Sequence, residues 1–290
     1  MGPSSPEIAP ELAARQAALE DQLRKAGRVI VAFSGGVDSS YLAWAAHRAL
    51  GADALAVTAV SASYPESHRR VAEQIVAENG LAHRFVDTRE MEREGYRRNQ
   101  ADRCYFCKDE LFDVLDRVAG ELGFGAVAYG INTDDNRDFR PGHKAAREHG
   151  ILSPLVDAGL DKAGIRALSR AAGLPTADLP ASACLSSRLA YGLEVTPERL
   201  RQVEEGEAAL HALGFRQIRL RHHGHVARIE VDPEELPRAL DPAMAKAIAA
   251  KIKPLGFRWV SLDLEGYRTG SLNAVLSDDE KAGATGQRPE

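Results

Sequence analysis

Residues 28–42 read Arg-Val-Ile-Val-Ala-Phe-Ser-Gly-Gly-Val-Asp-Ser-Ser-Tyr-Leu. Val29 to Phe33 is a short continuous apolar run, as expected of a strand buried on both faces. Two glycines break it. Asp38, Ser39 and Ser40 then start a helix carrying Tyr41, Leu42, Trp44 and Ala45. A strand, a glycine turn and a helix N-terminus make an anion site, because backbone N–H groups without helical partners point at the ligand and the helix dipole favours negative charge. Gly35 and Gly36 let the backbone approach a phosphate without a Cβ in the way. Ser34 and Ser39 can add hydroxyl donors, and Asp38 can hold a Mg²⁺ that shares the phosphate charge. A ligand-free Gly-Gly turn is the competing reading. No Gly-x-x-x-x-Gly-Lys-Ser/Thr occurs here, so this is not the usual P-loop.

Outward from that stretch, 290 residues are enough to bury a full core and to divide into two domains. Hydrophobic content of 44% and charged content of 27% fit a soluble globular class. No apolar run approaches the roughly 20 residues needed to span a membrane. Met-Gly-Pro-Ser-Ser-Pro has neither a basic nor an apolar signal region, so a cytoplasmic location is expected. A net charge of −5 argues against a protein built to grip a long nucleic acid.

Residues 7–26 read as an amphipathic helix stopped by Gly27. Ala54 to Val60 is a second buried strand, Glu66 to Asn79 a helix, and His83 to Val86 a third strand. A charged stretch, 90–103, leads into Cys104 and a helix with Leu111, Leu115, Val118 and Leu122 on one face. Ala126 to Tyr129 is a fourth strand, followed by a polar loop from Gly130 to Gly142 that suits a second ligand-facing segment or a solvated loop. Ile151 to Val156 and a helix over 161–172 complete the unit. Alternating strands and helices predict an α/β fold with a parallel sheet, whose ligands sit beyond the carboxyl ends of the strands. A loop over 174–188 precedes a smaller α+β part, which opens with a Thr196-Pro197 helix start and ends in a strand over 257–264. The expected division is 1–188, 189–275 and a patternless, disordered tail over 276–290.

Three cysteines in such a chain argue for chemistry or metal over a disulfide framework. Cys104 and Cys107 stand at a helix start, and Cys184 lies in a loop. Buried inert thiols, a redox dithiol and a metal centre are the three readings. Flanking Arg103 and Lys108 make a poor core segment, and a dithiol leaves Cys184 without a task. Structural zinc would need a His as its fourth ligand, and three cysteines on an iron–sulfur cluster would leave one iron open; spacing alone leaves both the metal and the redox reading standing.

In the smaller part, Arg216–Arg221 and Val226–Val231 read as a hairpin. A turn at His223-Gly224 sets Ile218 against Ile229 and Leu220 against Ala227, with Arg219 opposite Arg228 and Arg221 and Glu230 alongside. Two facing arginines need an anion or carboxylate between them. Glu230 can partner one. The guanidinium fork matches a substrate phosphate, with a solvated charged face as the alternative.

Taken together, Ser34-Gly-Gly-Val-Asp-Ser39 resembles the pyrophosphate loop of the ATP pyrophosphatase superfamily. Cys104-x-x-Cys107, Gly130-x-Asn-x-Asp-Asp135 leading to Arg140-Pro-Gly142, Ser153-Pro-Leu155, Gly173-Leu-Pro175, Pro180-Ala-Ser-Ala-Cys-Leu-Ser-Ser-Arg188 and the arginine hairpin narrow the resemblance to the LarE family of ATP-dependent sulfur transferases. It covers roughly residues 10–265. The resemblance implies an adenylating pyrophosphatase domain with a smaller C-terminal domain, in a homo-oligomer, often a hexamer. It implies ATP and Mg²⁺ as cofactors and a pyridinium dicarboxylate mononucleotide as substrate, whose carboxylates are adenylated and then converted to thiocarboxylates for the nickel-pincer nucleotide. Ser34, Gly35, Gly36, Asp38, Ser39, Gly130 and Asp134 would bind ATP and pyrophosphate. Arg219, Arg221, Ser187, Glu230 and Glu207 would serve the substrate phosphate. Some members sacrifice the sulfur of one cysteine, which corresponds to Cys184. Members with three cysteines resemble this chain more, and imply a 4Fe–4S cluster on Cys104, Cys107 and Cys184, fed by a sulfide source. A tRNA-thiolating enzyme and a non-catalytic nucleotide sensor are the alternative readings.

Overall fold

The computed structural model describes residues 8–137, 140–179 and 183–285. Residues 138–139 of the polar loop and the Pro180–Ser182 portion of the cysteine motif lie outside the described residues. The first elements are α1 (Pro10–Ala26), β1 (Val29–Ala32), α2 (Val37–Leu50), β2 (Ala54–Val60), α3 (Glu66–Asn79) and β3 (His83–Asp87). They are followed by α4 (Glu94–Arg97), α5 (Arg103–Leu122), β4 (Ala126–Tyr129), α6 (Gly142–Glu148), α7 (Pro154–Asp157) and α8 (Lys162–Ala171). The remainder comprises α9 (Pro197–Ala212), β5 (Ile218–His223), β6 (Val226–Val231), α10 (Leu236–Ala239), α11 (Pro242–Ile252), β7 (Trp259–Leu262) and α12 (Asp278–Thr285). The last helix falls inside the stretch that carries no pattern in sequence. No helix among the described residues is long and apolar enough to cross a membrane.

The chain forms two compact units, Met1–Glu90 with Cys104–Ser182, and Met91–Arg103 with Ala183–Glu290. The first is built on a parallel four-stranded sheet in the order β3-β2-β1-β4. Side chains of a strand alternate between faces, and β1 uses both. Val29 and Val31 join one core with Leu19 and Leu23 of α1, Tyr41 and Leu42 of α2, and Ile165 and Leu168 of α8. Ile30 joins the other with Phe112, Leu115 and Val118 of α5 and Ala145 and Ala146 of α6. Burial on both faces explains why the sequence of β1 shows no apolar–polar alternation. Residues 151–156 extend this sheet by a single bridge, Ala128 to Leu152, because Pro154 lacks an N–H and opens α7.

In the second unit, β5 and β6 pair antiparallel, and β7 adds parallel to β6. The register corrects the sequence expectation by two residues. Arg219 faces Glu230, Leu220 faces Ile229 and Arg221 faces Arg228, with Gly224 at φ 68° in the turn. A shift of two preserves the faces, so Ile218 and Leu220 still share the buried side with Ala227, Ile229 and Val231.

One electrostatic contact in the first unit is set apart from the sheet. His149, just past α6, turns Nδ1 to Asp116 Oδ2 at 2.8 Å and Nε2 to Asp109 Oδ1 at 3.1 Å, with Asp113 Oδ1 3.9 Å away. Both nitrogens can donate only in the imidazolium. Burial alone would lower the His149 pKa, but its bonds to Asp116 and Asp109 outweigh burial and raise it. A raised folded pKa stabilises fully below the unfolded value, and that stability is lost as pH rises through the folded one. His149→Gln should therefore cost on the order of 1 kcal/mol more at about pH 5.5 than at about pH 9, given partly exposed aspartates. Thermal unfolding of both proteins across that range checks it; a pH-independent difference would remove the charged clamp.

Candidate active site

The Ser34–Ser39 loop leaves the carboxyl end of β1 and enters α2 with Gly36 as its N-cap. Gly35 holds φ at 77°, a left-handed conformation that suits glycine. Ser39 Oγ donates to Gly36 O at 3.1 Å and accepts from Ser34 N at 3.2 Å, while Ser34 Oγ lies 3.0 Å from Ser39 Oγ. These bonds close the loop on itself. The N–H groups of the first turn of α2 have no partners within the helix. Tyr64 OH donates to Ser34 O at 3.1 Å, and burial, then Glu73, pushes its pKa up, which keeps it a donor.

Gly130 follows β4, the strand beside β1. A Cβ there would lie 2.7 Å from Ser39 N and 2.9 Å from the Asp38 carbonyl carbon, so only glycine lets this loop lie against the start of α2. Asn132 Nδ2 donates to Asp38 Oδ2 at 3.3 Å, and Asp134 Oδ2 accepts from Lys162 N at 3.0 Å. Asp135 anchors the same loop by accepting from Asn132 N, and it pairs with Arg140.

Lys162 is the residue that sequence reasoning missed. Its Nζ donates to both oxygens of Asp38, at 2.9 and 2.8 Å. It lies 124 residues from Asp38 at the first turn of α8, and no motif marks it. The available signal was only Asp161-Lys162 at a helix start, with Asp161 accepting from Gly164 N. Of the sequence-predicted nucleotide residues, Ser34, Gly35, Gly36, Asp38, Ser39, Gly130 and Asp134 thus fall in one loop cluster around a lysine–carboxylate pair.

In the second unit, Glu230 is fully buried and bridges two arginines. Arg221 Nη2 reaches Glu230 Oε2 at 2.7 Å, and Arg228 Nη2 reaches Oε1 at 3.2 Å. The facing arginines are therefore Arg221 and Arg228, in place of Arg219 and Arg228, and the required carboxylate lies between them. Arg221 also donates to Ser187 O at 3.2 Å and Ser271 Oγ at 3.0 Å, and its buried Nε has no partner. Glu207 binds Arg188 in a fork, Nε to Oε1 at 3.0 Å and Nη2 to Oε2 at 3.2 Å, and accepts from Leu220 N. Arg219 lies over the Tyr267 ring. Burial, then the Arg188 charge, pulls its pKa down.

All three cysteines are half-buried thiols. Cys104 and Cys107 lie one turn apart on α5, in the first unit, and Cys184 caps the turn Leu185–Arg188 in the second. Arg188 Nη1 donates to Cys184 O at 3.0 Å. Among the described residues, no group of three or more His, Cys, Asp or Glu side chains is arranged to hold a metal ion.

The asparagine synthase family model matches residues 13–102. The chain is 43% identical over 250 residues to an uncharacterized protein of Synechocystis, covering 86% of this chain and 93% of that one. It is 34% identical over 272 residues to the pyridinium-3,5-bisthiocarboxylic acid mononucleotide synthase of Lactiplantibacillus plantarum, covering 93% of this chain and 98% of that enzyme. The chain belongs to the LarE family. LarE enzymes are ATP-dependent sulfur transferases with a PP-loop ATP pyrophosphatase domain, which agrees with the loop around α2. A shorter likeness, 30% over 172 residues, links 59% of the chain to 66% of an uncharacterized protein of Methanocaldococcus jannaschii.

The hairpin geometry separates two arginines that look equivalent in sequence. Arg221→Ala leaves Glu230 with Arg228 as its remaining ion-pair partner in a dry site, and should destabilise the protein by about 3 kcal/mol. Arg219→Ala, half-buried over the Tyr267 ring, should cost less. Urea unfolding of the two variants measures the difference, and equal midpoints would contradict the structural role given to Arg221.

Proposed function

We propose that this enzyme uses ATP to adenylate the carboxylates of a pyridinium dicarboxylate mononucleotide and converts them to thiocarboxylates for a nickel-pincer nucleotide. The observation that carries the reading is the closed Ser34–Ser39 loop at the start of α2, with Gly130 against its backbone and Lys162 on Asp38. Free N–H groups of α2 and the hydroxyls of Ser34 and Ser39 hold the departing pyrophosphate. Mg²⁺ fits Asp38, since it favours one carboxylate plus substrate phosphates, and when bound it offsets the phosphate charge. Lys162 then exchanges its carboxylate partner for a phosphate oxygen. A carboxylate oxygen of the substrate attacks the α-phosphorus, the bond to pyrophosphate breaks, and an acyl-adenylate forms. A sulfur nucleophile adds to the acyl carbon, AMP leaves with the bonding electrons, and a thiocarboxylate remains. Arg219 binds the substrate phosphate; Arg221, Ser187, Glu230 and Glu207 hold the surrounding frame.

Thiolate is the donor that an iron–sulfur cluster takes, and Cys104 and Cys107 lie one turn apart on α5. Cys104, Cys107 and Cys184 would each give one thiolate to a 4Fe–4S cluster, which when bound supplies a nucleophilic sulfide. An external sulfide source, a homo-oligomeric assembly and a cytoplasmic location complete the proposal, with adenylation in the first unit and substrate-phosphate binding in the second. Cys184 as sacrificial donor is the competing source of sulfur.

Two experiments test these assignments. Lys162→Met removes a charge-assisted contact worth about 1.5–3 kcal/mol, so pyrophosphate release should fall roughly 10- to 100-fold; release at the wild-type rate would leave Lys162 a surface ion pair. For the sulfur source, anaerobically prepared protein should retain iron that Cys104→Ala loses together with thiolation. Its intact mass should be the same before and after turnover. A loss of the mass of H₂S in proportion to product would instead make Cys184 the donor.

A further inference from the structure

The segment Met91–Arg103 belongs to the second unit; Tyr96 and Arg103 reach the turn that follows Cys184, and Asn99 reaches residues 190–193 just beyond it. Asn99 is fully buried and, at φ 54°, is the only non-glycine among the described residues with positive φ. Such a conformation is uncommon outside glycine, costs free energy, and persists only where the surroundings fix it. Here they do. Asn99 Nδ2 donates to Ala190 O at 2.8 Å and Leu193 O at 2.9 Å, and Asn99 O accepts from Gly192 N at 2.9 Å. Asn99 Oδ1 accepts from Arg103 Nη1 at 2.6 Å. The same Arg103 nitrogen donates to Ser186 O at 2.7 Å, and Tyr96 OH meets Ser186 Oγ at 2.5 Å. Tyr96, Arg103 and Ser186 are all buried. Ser186 stands two residues after Cys184, so its carbonyl and its hydroxyl are both fixed by side chains from 91–103.

We propose that Tyr96, Asn99 and Arg103 are positioning residues for sulfur transfer: they fix the Leu185–Arg188 turn and so the direction in which Cys184 presents its thiol. A polar network this fully satisfied, around one strained residue, specifies a single conformation. An apolar contact of the same size would hold the segment without fixing the turn. None of the three side chains is asked to touch substrate. The proposal rests on the reading above that Cys184 takes part in sulfur transfer.

The test compares Tyr96→Phe, which deletes one hydroxyl, with Asn99→Gly, which keeps the positive φ and deletes the side-chain bonds. Both should lower kcat for thiocarboxylate formation, by about tenfold for Tyr96→Phe and up to about a hundredfold for Asn99→Gly, as small misplacements of a reacting group do. Pyrophosphate release and the KM for ATP should stay at wild-type values. The rate of iodoacetamide alkylation at Cys184, mapped by peptide mass spectrometry, should change. Parallel loss of thiolation and pyrophosphate release would reduce the network to general stability. Unchanged thiolation and unchanged Cys184 alkylation in Tyr96→Phe and Asn99→Gly would overturn the proposal outright. Cys184→Ser, assayed alongside, isolates the underlying reading: full thiolation by that variant removes the reading itself, whatever Tyr96→Phe does.

Discussion

The unpaired N–H groups at the start of α2 are the constraint from which the first unit follows. A helix that begins at the carboxyl end of a buried parallel strand must leave them pointing past the sheet edge, and a loop without side chains must surround them. Gly35 supplies the left-handed turn, and Gly130 brings the neighbouring β4 loop against the backbone of Asp38 and Ser39. Asp38 then sits in the first turn of α2, bonded by Asn132 and Lys162. Two cores, one on each face of β1, hold this edge rigid.

The second unit solves a different problem, the burial of charge. Glu230 is out of solvent with Arg221 and Arg228 on either side, and Glu207 is locked by Arg188. Each ion carries further hydrogen bonds, as a buried pair requires if desolvation is to be offset. The Cys184 turn lies within these bonds. Arg188 holds Cys184 O, Arg221 holds Ser187 O, and Ala190 N donates to His222 O of β5. The hairpin and the cysteine turn are therefore one structural assembly, and a change in either reaches the other.

What could be read from sequence was what repeats locally. The four parallel strands, α2, α3 and α8 follow from apolar runs, glycine breaks and cap residues, and the loop around Asp38 follows from spacing alone. The hairpin faces were legible but not the register, because a slip of two residues preserves every inward side chain and only the Gly224 turn distinguishes the two pairings. Lys162 was invisible because its partner is distant in the chain and lysine at a helix start has no special meaning. Residues 90–103 looked like a charged connector, since the groups that Asn99 satisfies lie about ninety residues further along.

That last separation bears on how the chain is made. Residues 91–103 leave the ribosome before most of α5, before β4 and before all of 183–290, yet Asn99 Nδ2 and Arg103 Nη1 donate to carbonyls of residues 186–193. The second unit is thus discontinuous, and its first segment meets partners about ninety residues further along the chain. Contacts of such high sequence separation slow folding, because loop closure precedes any stabilisation. The same clamp that orders the cysteine turn in the finished enzyme therefore closes only once residues 186–193 have been made.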